Sequence, residues 1–344
     1  MSDRLWSSAA PLRSVRLSVL TDAGFRRAEG DERALVWVPT EGAGLESRLV
    51  DLAESPRDLV VAAVPGGHFL CDKRRLWMCL VRSLGRTRAH RIMPPSWIPE
   101  DAVDRARLHA AHQPGMVYLL KRAPPEDRDE QSGSGVRVLA DIDAAALDEA
   151  QRQECIVQRR VQDQLEVAGQ RFSLRCWVAL YRRRGEVQAN LHQEGLLTCT
   201  PNGGAGPAGA PERLSELYGL LRAAGVSPEP LQSGIVRGVK GCVSAALPEL
   251  SGPALPHHAC VELFGVDFVV DRSLQPWVLG WNRFPDLEPR REGARGLRED
   301  VWRASLALAG LPGLGGPDGF LPIGRWRDDA RSPTDLPPVG FRNG

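Results

Sequence analysis

The segment Val261–Asn282, VELFGVDFVVDRSLQPWVLGWN, restricts the possible folds more than any other part of the chain. Its first half alternates apolar and polar residues and is rich in Val and Phe. Its second half opens with the short apolar run Pro276–Leu279, and Asp271, Arg272 and Ser273 between them are turn residues. The pattern predicts two tightly joined antiparallel strands. Residues two apart on a strand share a face, so Asp267 groups with Gly265 and Val269, while position 280 groups with Asn282. Pairing of the strands then brings a carboxylate and an amide towards one cation. Mg²⁺ at a nucleotide takes one or two protein carboxylates, and an Asn carbonyl can complete its shell. Gly280 has no side chain to contribute.

Upstream, Cys155–Leu180 (CIVQRRVQDQLEVAGQRFSLRCWVAL) reads as two strands and a loop, the first carrying Gln158 and the second Arg171, Ser173 and Arg175. The strand Val117–Arg122 ends at Lys121. Lys73, Lys121 and Lys240 are the only lysines among 44 basic residues, and a lysine acts as a compact point charge where arginine offers a bidentate fork. The polar stretch Pro124–Gly135 ends SGSGV and leads into an apolar strand, Val136–Leu139. Gly133 and Gly135 would let a backbone approach phosphates.

In this order the segments resemble the tubulin tyrosine ligase-like family of ATP-grasp ligases. ELFGVDF is similar to the family's ELFGFDF, which is followed by a turn and a strand ending E-x-N; here that strand ends GWN. The resemblance implies that Asp267 and Asn282 hold metal-binding positions and that Gly280 replaces a metal-bridging Glu. It places Gln158, from a Q-x-Y-I element, near the adenine hinge, and Lys121, from W-I-x-K-P, on nucleotide phosphates. Arg175, from K-F-D-x-R, falls in the catalytic cleft, where a cation stabilises charge developing on an acyl phosphate. In that element Arg171 replaces Lys and Ser173 replaces Asp. Gly133 and Gly135 fall in a phosphate-covering loop. In LLTCTPN, Thr198 matches the family's L-T-N beside the phosphate site, Cys199 replaces its Asn, and Gln188 replaces a substrate-holding Arg. HRIMPPSW (His90–Trp97) and CDKRRLW (Cys71–Trp77) are similar to the family's M-P-x-T-x-x-L-P and K-D-x-L segments. The likeness spans most of Phe69–Ala309, and the N-terminal stretch matches poorly.

The resemblance implies an α/β (α+β) fold with ATP-grasp-type lobes, with ATP and Mg²⁺ as cofactors. The implied reaction has ATP phosphorylate a carboxylate, often on an acidic protein tail or peptide, and the amine of an amino acid then attacks to form an amide. Gly280, Ser173, Gln188 and Cys199 depart together, whereas Phe264, Gly265, Phe172 and Trp277 keep the fold's pattern. That asymmetry predicts a degenerate ligase that keeps nucleotide or acidic-peptide binding. The alternative is an active carboxylate–amine ligase with a non-tubulin acceptor and a rearranged metal site, Asp286 or Glu288 supplying the carboxylate.

Composition narrows the rest. A chain of 344 residues can bury a substantial core in two or three lobes. We divide it into an α/β lobe over 1–92, the ATP-grasp domain over 93–310 and a Gly/Pro-rich tail over 311–344. Within them we expect helices over Leu45–Ala53, Arg74–Ser83, Glu100–His112, Asp143–Gln153 and Ala294–Ala309, strands over Ala34–Val38 and Leu59–Val64, and loops over Pro201–Pro211 and Pro248–Pro256. A net charge of +1 with 25% charged residues argues against a nucleic-acid partner. Arg182–Arg184 suit a solvated hairpin end or an acidic tail. Seven cysteines without a C-x-x-C pair favour a reducing, cytoplasmic setting, and Cys71, Cys155, Cys176, Cys242 and Cys260 read as small core residues. His257 and His258 point opposite ways on a strand and suit a loop better than a metal. No apolar run reaches the roughly 18 residues that span a bilayer, so no membrane partner is expected.

Overall fold

Alternating Leu, Val, Trp and Phe over 170–199 and 259–282 build the longest strands. In the computed structural model, which describes residues 4–29, 32–40, 44–54, 58–122, 136–139, 142, 144–199, 211–251, 255, 258–288 and 295–327, these strands form the centre of the molecule. The N-terminal part runs β1 (Leu5–Ser7), α1 (Ser14–Asp22), β2 (Arg26–Arg27), β3 (Val36–Trp37), α2 (Leu45–Ala53), β4 (Val60–Val61), α3 (His68–Cys71), α4 (Lys73–Leu84) and α5 (Arg86–Ala89). The middle runs β5 (Ser96–Trp97), α6 (Ala102–Ala111), β6 (Tyr118–Lys121), β7 (Val136–Leu139), α7 (Ala144–Arg152), β8 (Ile156–Arg159), β9 (Glu166–Val167), β10 (Gln170–Arg183) and β11 (Glu186–Cys199). The remainder runs α8 (Leu214–Ala223), α9 (Glu229–Ala246), β12 (Ala259–Val270), β13 (Pro276–Asn282), α10 (Arg295–Ala307) and β14 (Phe320–Arg327).

Among the described residues the large sheet is ordered β14-β11-β10-β12-β4-β3-β1-β2, with β13 also paired to β12. The first residues of β12 pair parallel with β4 and its later ones antiparallel with β13. Leu174, Cys176, Val178 and Leu180 of β10 face a core shared with α4, α8 and α9, while Trp177 and Ala179 face one shared with α1 and α10. Helices on both faces follow from strands that are apolar on both sides. The small sheet is ordered β5-β8-β6-β7. Tyr118, Leu120 and Val157 pack on one side with Leu108 of α6 and Leu147 of α7, and Ile156, on the other, joins the main core. Lys121 lies opposite Ile156, and Gln158 opposite Leu119. Both polar residues are therefore turned towards the large sheet, because directly opposed residues project from one face.

The structure follows the predicted mixed α/β class and departs from the sequence reading in three places. Strands β1–β4 of the N-terminal α/β stretch extend the central sheet, a continuity that the sequence reading did not propose, because the apolar edge of β12 accepts β4. The stretch read as a tail contains β14, which pairs with β11 and buries Ile323 and Trp326. Helices α8 and α9 occupy a region for which the sequence reading proposed none. In α9, Gly234 and Gly238 lie against β13: a Cβ on Gly234 would sit 2.5 Å from Pro276 Cδ, and one on Gly238 would sit 3.2 Å from Val278 Cγ2. Three helical glycines, with Gly241, lower intrinsic helix propensity, yet Gly234 and Gly238 let the helix backbone approach the strand and Gly241 makes room for Ile92. Six described cysteines form no disulfide. Cys155, Cys176, Cys242 and Cys260 are buried as expected, and Cys71 is half-buried. Burial pushes the thiols of Cys242 and Cys260 up to about 12, which keeps them protonated. Among the described residues no helix is long and apolar enough to cross a membrane.

Candidate nucleotide and metal site

Four residues form a row across the large sheet: Leu196 on β11, Arg175 on β10, Asp267 on β12 and Gly280 on β13, each directly opposite the next. Arg175 donates from Nε to Asp267 Oδ1 at 2.7 Å and from a terminal nitrogen to Oδ2 at 2.8 Å, a bidentate pair. Asn282 lies opposite Gly265 and donates its amide Nδ2 to Asp267 Oδ2 at 3.2 Å. Gly265 makes this arrangement possible, since a Cβ there would meet Arg175 Cδ at 3.3 Å and Pro285 Cβ at 3.2 Å. The turn is organised by Asp271, whose carboxylate accepts from Ser273 N and Oγ, Gln275 N and Trp277 Nε1. The hairpin thus brings Asp267, Asn282 and position 280 together.

A bulge in this hairpin supplies a link to the small sheet. Asp267 is opposite Gly280 and Phe268 opposite Val278, so Leu279 has no opposite residue on β12. Its carbonyl accepts from Lys121 Nζ at 3.4 Å. Lys121 is 5% exposed and Gln158 1%. Gln158 donates Nε2 to Ser96 Oγ at 3.0 Å, and its buried Oε1 has no partner among the described residues. An unmatched buried acceptor costs about 1–3 kcal/mol unless a ligand donor meets it.

The other predicted residues are less concentrated. Arg171 is paired with Glu166 at 3.6 Å beside β9 and is half-buried. Thr198 is exposed opposite Ser173, whose Oγ donates to the Thr198 carbonyl at 3.5 Å. Gln188 lies far down β11, opposite Tyr181, where it bonds Asn190 and Arg325; the strand carries it away from Arg175, so it does not belong with the cleft substitutions. Gly133, Gly135 and His257 lie outside the described residues, as does the side chain of Cys199. His258 accepts from Leu59 N–H at Nδ1 and meets the Leu52 carbonyl at Nε2, a buried structural histidine. Arg182 is buried and caps the Leu250 carbonyl, whereas Arg183 and Arg184 are the solvated hairpin end.

The residues at the hairpin do not fit a divalent metal. Both Asp267 oxygens accept from Arg175, and the Asn282 amide turns a donor to them, so a cation would displace a guanidinium from this carboxylate. Glu288 accepts from Ser14 Oγ and Val15 N at the start of α1, and Asp286 Oδ1 accepts from Glu288 N. Among the described residues no three His, Cys, Asp or Glu side chains gather as a metal set. The small-sheet side differs: buried Lys121 and the unmatched Gln158 acceptor fit an anionic ligand that also carries an N–H donor, as a nucleotide does.

Two features were missed in the sequence. The stem of Lys73, first residue of α4, passes over Gly280, with its Cε 3.1 Å from where a Cβ would lie. The scarcity of lysine was the available signal. The second is a buried ionic network behind the hairpin. Arg283 donates to Glu262 Oε1 and to Glu46 Oε1, both at 2.6 Å, and to the Val64 carbonyl at 2.9 Å. Val64 N–H donates to Glu262 Oε2 at 2.7 Å, and His68 Nδ1 lies 3.0 Å from Glu46. Burial pushes the Glu262 carboxyl up, opposed by Arg283, which the two carboxylates hold charged. Burial also opposes ionisation of Glu46, but His68 and Arg283 outweigh it and hold that carboxyl at about 2.

The sequence model of the Tubulin-tyrosine ligase family matches residues 51–201 and 214–314, which is most of the chain and includes the whole hairpin, Lys121, Gln158 and Arg175. No curated protein matches the chain. With a mixed content of helices and sheets that agrees with an ATP-grasp-like α+β fold, the chain belongs to the Tubulin-tyrosine ligase family of ATP-grasp-like ligases.

Proposed function

We propose that this chain is a degenerate member of the family, impaired in amide ligation, that serves as a binding module for a nucleotide or an acidic peptide. The observation that carries this reading is the bidentate Arg175–Asp267 pair opposite Gly280. Family ligases generally use ATP and Mg²⁺, and the reaction needs a metal-bound triphosphate and a cation directed at the acyl phosphate. Here the carboxylate and the guanidinium engage each other. Loss of one preorganised charge contact to a transition state costs about 10²–10³ in rate, and among the described residues no second carboxylate stands beside Asp267 in the row. Lys121 on the facing sheet and the unmatched Gln158 acceptor support retained nucleotide binding.

The test combines binding with chemistry. The protein is incubated with Mg-ATP, glutamate-rich peptides and free amino acids, and peptide mass and ADP are measured. We expect no mass increase, together with a rise in melting temperature on adding nucleotide; a ligand at 100 times its Kd adds about 2.7 kcal/mol. An amide product that disappears in Asp267→Ala would establish an active ligase with a rearranged site. No thermal shift with nucleotide or peptide would remove the binding-module reading.

A further inference from the structure

Two of the chain's three lysines meet at consecutive residues of β13. Lys121 reaches the carbonyl of Leu279 from the small sheet, and Lys73 lies along Gly280 with Cε, Cγ and Cδ at 3.1, 3.8 and 3.9 Å from a Cβ built there. Gly280 is directly opposite Asp267, which holds Arg175. The space beside Asp267 where a side chain at 280 would project is therefore filled by the aliphatic stem of a cation. A carboxylate introduced at 280 would first have to displace that stem, and it would then have an ammonium as its neighbour. Among the described acidic groups around the row, Glu262 and Glu46 are held by Arg283, and Glu288 by α1.

We propose that Lys73 takes the place of a divalent cation: the site binds the polyphosphate of a nucleotide on Lys73 and Lys121 without metal, Arg175 staying with Asp267, and Lys73 and Gly280 act as a coupled pair. This rests on the nucleotide-binding reading above. An ammonium neutralises phosphate as a point charge and needs no carboxylate scaffold, so the loss of a side chain at 280 and the overlying lysine suit each other. Because nothing in the row recruits Mg²⁺, free ATP, the more anionic species, is the preferred form.

Calorimetric titration of the full chain with ATP and with inorganic tripolyphosphate, in EDTA and in excess Mg²⁺, tests this. Binding in EDTA should equal or exceed binding in Mg²⁺, and should weaken as salt rises. Lys73→Met should weaken it by about tenfold, the scale of one charge-assisted contact. Gly280→Glu alone should gain no Mg²⁺ dependence, whereas Gly280→Glu with Lys73→Met should. If the unaltered protein binds ATP only with Mg²⁺, this inference falls and nucleotide binding stands. If it binds neither ATP nor tripolyphosphate, both fall, and capture of a polyglutamate peptide alone would show that the ligand class is wrong. Unchanged affinity in Lys73→Met would overturn the role of Lys73. The metal comparison needs no variant, so it holds even if a substituted chain misfolds.

Discussion

Replacing Arg283 by Met exposes how far the hairpin depends on the N-terminal lobe. Arg283 and Glu262 are 9% and 2% exposed, and the substitution removes four hydrogen bonds to Glu262, Glu46 and the Val64 carbonyl. The stem of Met fills much of the arginine's volume, so the main loss is electrostatic. Glu262 would keep one donor, Val64 N–H, for a carboxylate with no access to water. Leaving one partner of a buried pair uncompensated costs about 3–5 kcal/mol, a large share of the roughly 5–15 kcal/mol that holds a domain folded. Glu262→Gln added to Arg283→Met should recover most of that, because a neutral amide can still accept from Val64 N–H. The assay is urea denaturation, read as a shift in midpoint at constant slope. The sign with pH follows. In Arg283→Met the folded-state pKa of Glu262 rises further above its unfolded value. The deficit should therefore be largest above that raised pKa and shrink as pH falls through it, when the buried carboxyl takes up a proton. A loss below about 1 kcal/mol, or a double variant no better than the single one, would refute the reasoning.

Four further outcomes are expected. His90 stacks on Trp77 with centroids 5.3 Å apart, and burial, aided by Arg86 and Arg159, lowers its pKa from 6.5 to about 4. The unfolded chain takes up that proton first, so up to about 3 kcal/mol present above pH 6.5 should drain away towards pH 4; His90→Phe should flatten the melting profile in that window, and an equal slope counts against the assignment. Gly219 in α8 has open space around it, so Gly219→Ala should stabilise by about 0.5–1 kcal/mol. Gly234→Ala in α9 should instead destabilise by about 1–3 kcal/mol, because its methyl would lie 2.5 Å from Pro276 Cδ; thermal melts that move both variants the same way would contradict this. Asp271→Ala strips the turn of one acceptor for four donors and should cost about 2 kcal/mol, measured by denaturant midpoint; no change would mean that solvent replaces the carboxylate.

Local pattern made much of the frame legible. Periodicity and turn chemistry located the β12–β13 hairpin, the strand of Lys121 and the helices α2, α4, α6, α7 and α10, because each depends on contacts close in sequence. It failed where tertiary packing overrides local preference. The glycines of α9 argue against a helix until a strand lies close enough to need them, and β14 follows a Gly/Pro-rich stretch that signals a tail until β11 offers a free edge. Gln188 was grouped with the cleft by family position alone, and the length of β11 separates it.

The sequence by itself determined which residues the hairpin carries, and that position 280 has no carboxylate. Alternation places Asp267 and Asn282 on strands, and a strand's period of two limits which neighbours can share a face. Only the tertiary structure decided what occupies that face. Arg175 arrives from β10, Lys73 from the start of α4 and Lys121 through a bulge at Leu279, each from a distant part of the chain. Their charges meet because strand register and helix docking set side-chain positions to within a few ångströms, a scale at which no sequence spacing fixes distance and at which electrostatic interaction is strongest.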